Sequence, residues 1–201
     1  MKKRILITLF ILSLLIFQVS ALQINSAKQT YNQGETFIAT LQGNILEPIN
    51  KEDVGFYEAH VQKPFEYNLL KINDIYYIYA VIPYSQKNYN LRIEDVYFKE
   101  NNEFKTETLQ FNFTTNNLTA DFYVILNTVI TNKNFTIDIY NNLNSQLNVN
   151  YEFEGKQFSV NLPSQELKKV TIDTDSIIST KISTLVFNTV NTQYSIPVQV
   201  I

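Results

Sequence analysis

Apolar residues recur at every second position along almost the whole chain, the pattern of strands with one face buried and one wet. Phe37, Ala39 and Leu41 alternate with Thr36, Thr40 and Gln42 behind an Asn32-Gln33-Gly34-Glu35 turn, with Ile38 as the apolar residue on the outer face. Val54–Val61 reads as a second strand and Ile75–Ile82 as a third, apolar on both faces and stopped by Pro83. In a fourth, Tyr89, Leu91 and Ile93 alternate with Asn90, Arg92 and Glu94. Val96–Lys99 and Phe104–Phe113 flank Asn101-Asn102, a hairpin turn because Asn tolerates positive φ. Asn116 and Asn117 interrupt the pattern and are read as the boundary between a first unit at 22–115 and a second at 118–201. The second unit is predicted as Phe122–Ile130, Phe135–Tyr140, Leu147–Phe153, Phe158–Leu162, Leu167–Ile172, Lys181–Asn188 and Tyr194–Val200, with turns at Asn132-Lys133, Glu154-Gly155 and Asn191-Thr192-Gln193. Short strands at this spacing predict all-β, antiparallel sandwiches. No helical period is sustained after residue 21.

The first 21 residues are of another kind. Lys2, Lys3 and Arg4 precede Ile5–Phe17, apolar apart from Thr8 and Ser13, and Val19-Ser20-Ala21 supplies small residues for cleavage. That is the layout of a signal-peptide helix cut after Ala21, leaving a mature chain from Leu22 that is secreted or held in the cell envelope. A spanning helix takes ~20 apolar residues. This run is shorter, so contact with a membrane is expected only through an uncleaved N-terminal segment. The chain has no Cys, which removes disulfides, a thiolate metal site and a lipid-modified cysteine. Its net charge of −3 becomes −6 once the three basic residues of the leader are gone. An acidic chain with scattered charges predicts no nucleic-acid partner, because phosphate backbones reward a basic face.

Catalytic constellations are sparse. His60 is the only imidazole, so a multi-histidine metal site cannot be built, and on a continuous second strand it shares a face with Glu58. No G-x-S-x-G elbow presents a nucleophile and no glycine-rich loop cradles phosphates. The carboxylate clusters are Glu52-Asp53, Glu94-Asp95 and Asp173-Thr174-Asp175. Asp173 and Asp175 bracket a loop where a hard cation such as calcium could find oxygen ligands, although two carboxylates fall short of the six or more it takes. No cofactor is expected. Three sequons, at Asn112, Asn117 and Asn134, make this a candidate glycoprotein.

Tyr31-Asn32-Gln33-Gly34-Glu35-Thr36-Phe37 resembles the turn and inward aromatic that open the second strand of extracellular immunoglobulin-like and macroglobulin-type domains of bacteria and archaea. Phe135–Asn141, Phe158–Pro163 and Tyr194–Val200 resemble CARDB-type and related immunoglobulin-like domains of prokaryotic surface proteins. The resemblance implies two immunoglobulin-like antiparallel β-sandwich domains after the signal helix. With catalytic constellations missing, the expectation is a non-enzymatic binding or structural module of the adhesion type, with a protein or glycan at the cell surface as partner. Phe65 and Tyr67, in a loop spanning Gln62–Leu70, are candidates for the contact surface and equally for lids on the core. A carbohydrate-binding accessory role would use an exposed tyrosine row, for which Tyr77 and Tyr79 share one face of their strand. A chaperone for exported subunits would instead offer the apolar face of Leu109, Phe111 and Phe113 to a client.

Overall fold

The computed structural model describes residues 22–126, 130–174 and 180–201, so the predicted leader at 1–21 lies outside the described residues. The N-terminal strands are β1 (Gln23–Ser26), β2 (Thr30–Gln33), β3 (Thr36–Gln42), β4 (Val54–Glu58), β5 (Val61–Lys63), β6 (Tyr67–Ile72), β7 (Ile75–Val81), β8 (Asn88–Glu100) and β9 (Glu103–Thr119). They form two sheets, ordered β1-β3-β7-β6 and β2-β9-β8-β4-β5. The C-terminal strands are β10 (Phe122–Ile125), β11 (Ile130–Thr131), β12 (Phe135–Asn141), β13 (Leu147–Phe153), β14 (Lys156–Leu162), β15 (Leu167–Ile172), β16 (Lys181–Asn188) and β17 (Gln193–Val200). Their sheets are ordered β10-β12-β15 and β11-β17-β16-β13-β14.

The two halves repeat one plan. In each, the first strand pairs with the third of its half, while a short second strand crosses over to run parallel with the last: β2 beside β9, β11 beside β17. The orders match the A-B-E-D and G-F-C sheets of an immunoglobulin-like sandwich, the C-terminal half lacking a counterpart of β6 among the described residues. The described residues are therefore all-β with immunoglobulin-like sheet topology.

Turn chemistry explains most strand limits. Asn101 and Asn102, both at positive φ, close the β8–β9 hairpin, and Glu154-Gly155 closes β13–β14 in the same way. Where sequence and structure differ, the cause is local. Val54–Val61 is two strands, because Ala59 turns the chain with a φ of 54° and places His60 in the turn, so His60 does not share a strand face with Glu58. Glu58 instead meets Lys63 and Lys87 at 3.0 and 2.8 Å. The predicted fourth strand and Val96–Lys99 are one strand with a bulge where Asp95 takes positive φ. Tyr67–Leu70 is not loop but most of β6. Asn116 and Asn117 do not break the pattern either. They lie inside β9, where Asn116 donates from Nδ2 to Asn32 Oδ1 at 2.8 Å and its carbonyl accepts from Gln33 Nε2 at 3.1 Å.

The N-terminal core is aromatic. Phe113 packs among Tyr31, Phe37, Phe56, Phe65 and Tyr89 with ring centroids 4.8–6.4 Å away. The C-terminal core, built on Phe122, Ile137, Ile139, Val149, Leu185, Phe187, Ile196 and Val198, does not stop at its own sheets. Ile72 and Tyr79 are buried within it, and Ile38, Leu70 and Tyr77 pack against it.

Candidate contact face at the junction

Alternation along β7 sends Tyr76, Ile78 and Ala80 into the N-terminal core and Tyr77 and Tyr79 to the opposite face. The C-terminal half covers that opposite face. Polar groups fix the seam: Thr36 Oγ1 accepts from the Val124 amide at 2.9 Å and donates to its carbonyl at 3.2 Å. The Tyr194 hydroxyl donates to the Phe122 carbonyl at 2.7 Å and accepts from the Thr36 amide at 3.1 Å. Asn68 Nδ2 donates to the Leu126 carbonyl, and Asn142 Nδ2 to the carbonyls of Gly34 and Ala120, each at 2.9 Å. The Tyr79 hydroxyl is buried without a hydrogen-bond partner among the described residues. Burial raises the pKa of both Tyr79 and Tyr194 well above the usual phenol value.

One flank of the seam is tyrosine-rich and partly open to solvent. On β10 and β12 the outward residues Tyr123 and Tyr140 are directly opposite each other and their rings stack, centroids 5.0 Å apart at 22°. Leu167 of β15, 49% exposed, continues the row across the sheet. Tyr84, 57% exposed, reaches the row from the loop after β7, its hydroxyl donating to Asn142 Oδ1 at 2.6 Å. Its ring lies over Gly34, where a side chain would come within 2.7 Å of it. Partial burial, then the neighbouring Tyr123 and Tyr140, push the Tyr84 phenol up to about 12. Tyr123 is raised by partial burial and by Glu66. Tyr84 is anchored to the seam through Asn142, which holds a large amphipathic ring still at little entropic cost.

The residues singled out by sequence fall elsewhere. Phe65 is buried, stacked on Phe56 with centroids 4.3 Å apart, and acts as a core lid. Tyr67 is half-buried, its hydroxyl donating to the carbonyls of Lys51 and Val54 at 2.7 and 3.0 Å. Tyr77 and Tyr79 do share a face and stack, centroids 6.3 Å apart, but Tyr79 is buried and Tyr77 half-buried against the C-terminal core, so they offer no open row. Asp173 is exposed beyond β15, whereas Asp175, and with it the proposed calcium pair, lies outside the described residues. Asn112, Asn117 and Asn134 are exposed; Asn112 Oδ1 accepts from Asn90 and Asn134 Oδ1 from the Thr174 amide, each at 2.7 Å. The Tyr84, Tyr123 and Tyr140 row was missed. Each tyrosine sits alone in its segment, and only the β10–β12 register brings two of them together.

No protein-family model matches the chain, and no curated protein matches it by sequence. By structure it is similar to dimeric latent PorU from Porphyromonas gingivalis, with 15% identity, 92% of this chain, 20% of that chain and a TM-score of 0.49. It is also similar to the MG0-NIE-MG1 domains of native alpha-2-macroglobulin from Escherichia coli, with 10% identity, 89% of this chain, 71% of that chain and a TM-score of 0.33. The adhesin InvE of Yersinia pseudotuberculosis is matched at 12% identity over 90% of this chain and 58% of that chain, with a TM-score of 0.30.

Proposed function

We propose that this chain is an exported, non-enzymatic binding module of the adhesion type: two immunoglobulin-like domains, the second of CARDB type, docked so as to present one tyrosine face to a protein at the cell surface. The sequence divides them as 22–115 and 118–201, and a division at Ala120-Asp121 is supported by β9 ending at Thr119 and β10 starting at Phe122. The leader at 1–21 directs the chain out of the cytoplasm and is removed after Ala21.

The observation that carries this reading is the row formed by exposed Tyr84 and Leu167 with the half-buried, stacked Tyr123 and Tyr140 beside a pinned junction. Tyrosine is enriched where partners dock, because its ring supplies apolar area and its hydroxyl a hydrogen bond. The subunit-chaperone alternative draws less support, since Phe113 faces inward and is 1% exposed. A glycan reading built on Tyr77 and Tyr79 lacks an exposed platform. The test is saturable binding of labelled mature protein to whole cells of the source organism, with trypsin-shaved cells as control. The Tyr123→Ala/Tyr140→Ala variant, first checked for an unchanged melt, is expected to bind about tenfold or more weakly if these rings are the anchors. Undiminished binding by that folded variant would move the contact surface off this face.

A further inference from the structure

The outer face of sheet β2-β9-β8-β4-β5 carries a second arrangement, on the far side of the N-terminal core from the seam. Arg92, the only arginine after residue 4, stands on β8 among Gln110 and Asn112 of β9 and Tyr57 of β4. Its guanidinium lies over the Tyr57 ring, 4.3 Å from the centroid. Gly55 makes this possible, because any side chain there would come within 2.7 Å of the Tyr57 ring. Arg92 Nε donates to Asn90 Oδ1 at 2.8 Å and Nη2 to the Ala59 carbonyl at 3.3 Å. Asn90, 9% exposed, is fixed in turn by donating to Asn112 Oδ1 at 2.7 Å.

A ring, a carbonyl and an amide thus orient this cation, yet no carboxylate of the described residues lies within ion-pair distance of it. Glu94, two residues along the same face, accepts instead from the Tyr57 hydroxyl at 3.3 Å. The guanidinium carries five N–H donors, of which its neighbours take two, so a forked pair is left to meet a carboxylate. Beside it is a hollow of about 550 Å³ walled by amide and hydroxyl side chains such as Thr30, Asn88, Gln110 and Asn112 together with Ala59, Tyr89 and Phe113. Ligand sites span ~300–1,000 Å³.

We propose that this hollow binds an acidic saccharide, a sugar chain bearing a uronic-type carboxylate, with Arg92 as the carboxylate fork. Amide and hydroxyl side chains each give and accept hydrogen bonds, which matches a ring of sugar hydroxyls. An acidic peptide, by contrast, would ask for several cations where the hollow has Arg92 alone. The occupant is distinct from the protein partner proposed for the tyrosine row, and the two faces are independent.

The probes are tetragalacturonate and a hyaluronan tetrasaccharide, titrated by calorimetry or NMR into mature protein made without glycans, since a glycan on Asn112 would fill the hollow. Binding of at least one of them is expected, with the methyl ester of the bound sugar about tenfold or more weaker because the charge-assisted fork is lost. Arg92→Lys keeps the charge without the fork and is expected to cost about tenfold, and Gln110→Ala a few-fold, each in a variant that still melts cooperatively as a folded protein. Tyr123→Ala/Tyr140→Ala should leave this binding untouched. No binding of either acid, equal binding of the ester, an indifferent Arg92→Lys, or tighter binding of tetra-aspartate would each overturn the proposal.

Discussion

At the scale of single residues, two glycines with the same backbone conformation make a controlled comparison. Gly34 has a φ of 65° and Gly155 of 73°, so an alanine at either place meets the left-handed penalty of about 1–2 kcal/mol. Only at Gly34 does the added carbon also meet a neighbour, the Tyr84 ring, whereas nothing lies within 4 Å of it at Gly155. Gly34→Ala should therefore lower stability in a urea melt by more than Gly155→Ala, and the difference measures how tightly Tyr84 is held. Equal losses would mean that Tyr84 swings aside freely. A second pair concerns hydroxyls. Tyr194 makes two hydrogen bonds at the seam, so Tyr194→Phe is expected to cost roughly 1–3 kcal/mol by orphaning the Thr36 amide. The Tyr79 hydroxyl is buried with no partner among the described residues, so Tyr79→Phe should leave stability unchanged or raise it. A loss at Tyr79 as large as that at Tyr194 would contradict the burial of an unpaired hydroxyl.

Among the elements, β9 shows what alternation can and cannot tell. Leu109, Phe111 and Phe113 do point to one face, opposite Ile93, Leu91 and Tyr89 of β8. Only Phe113 is at the centre of the core, at 1% exposure, while Leu109 and Phe111 are half-buried. Phe113→Ala should accordingly cost ~3–5 kcal/mol and Phe111→Ala distinctly less. Matching losses in chemical denaturation would place both rings equally deep. The same logic separates what was legible in the sequence from what was not. The limits of β3, β13, β15 and β16 could be read because alternation and turn residues agree there. The β4–β5 turn was hidden, since Ala59 and His60 carry no turn chemistry. Asn116 and Asn117 looked like a linker, yet polar residues within a strand can serve pairing with a neighbouring turn, as Asn116 does with Asn32. Tyr77 and Tyr79 were rightly assigned to one face. Periodicity says which residues share a face, not what covers it, and here the cover comes from residues more than forty positions further on.

For the whole molecule, the seam decides whether the halves act as one body. Four tyrosines buried or partly buried in the N-terminal core and about the seam have raised phenol pKa values, Tyr31 and Tyr84 to about 12 and Tyr79 and Tyr194 in the same direction, with burial the first cause in each. In the unfolded chain a phenol titrates near ~10. Their contribution is therefore complete below about pH 10 and is lost as the pH climbs through about 12 and beyond, as the unfolded state sheds protons that the folded state retains. A melting temperature flat from pH 10 to 12 would be incompatible with these burials. Among the contacts that couple the halves is Thr36, whose hydroxyl closes both hydrogen bonds to the Val124 backbone. Thr36→Val keeps the shape and leaves a buried amide and carbonyl unpaired, which costs roughly 1–3 kcal/mol. Because Ile72 and Tyr79 belong to the C-terminal core, the full chain should melt in one transition that Thr36→Val moves as a whole. A fragment covering 120–201 should fold on its remaining core but melt at a lower temperature, since it exposes the surface that β6 and β7 cover. Calorimetry distinguishes this from a hinged pair. Two transitions in the full chain, only one of them moved by Thr36→Val and the other coinciding with the fragment's melt, would mean that the halves fold and move independently.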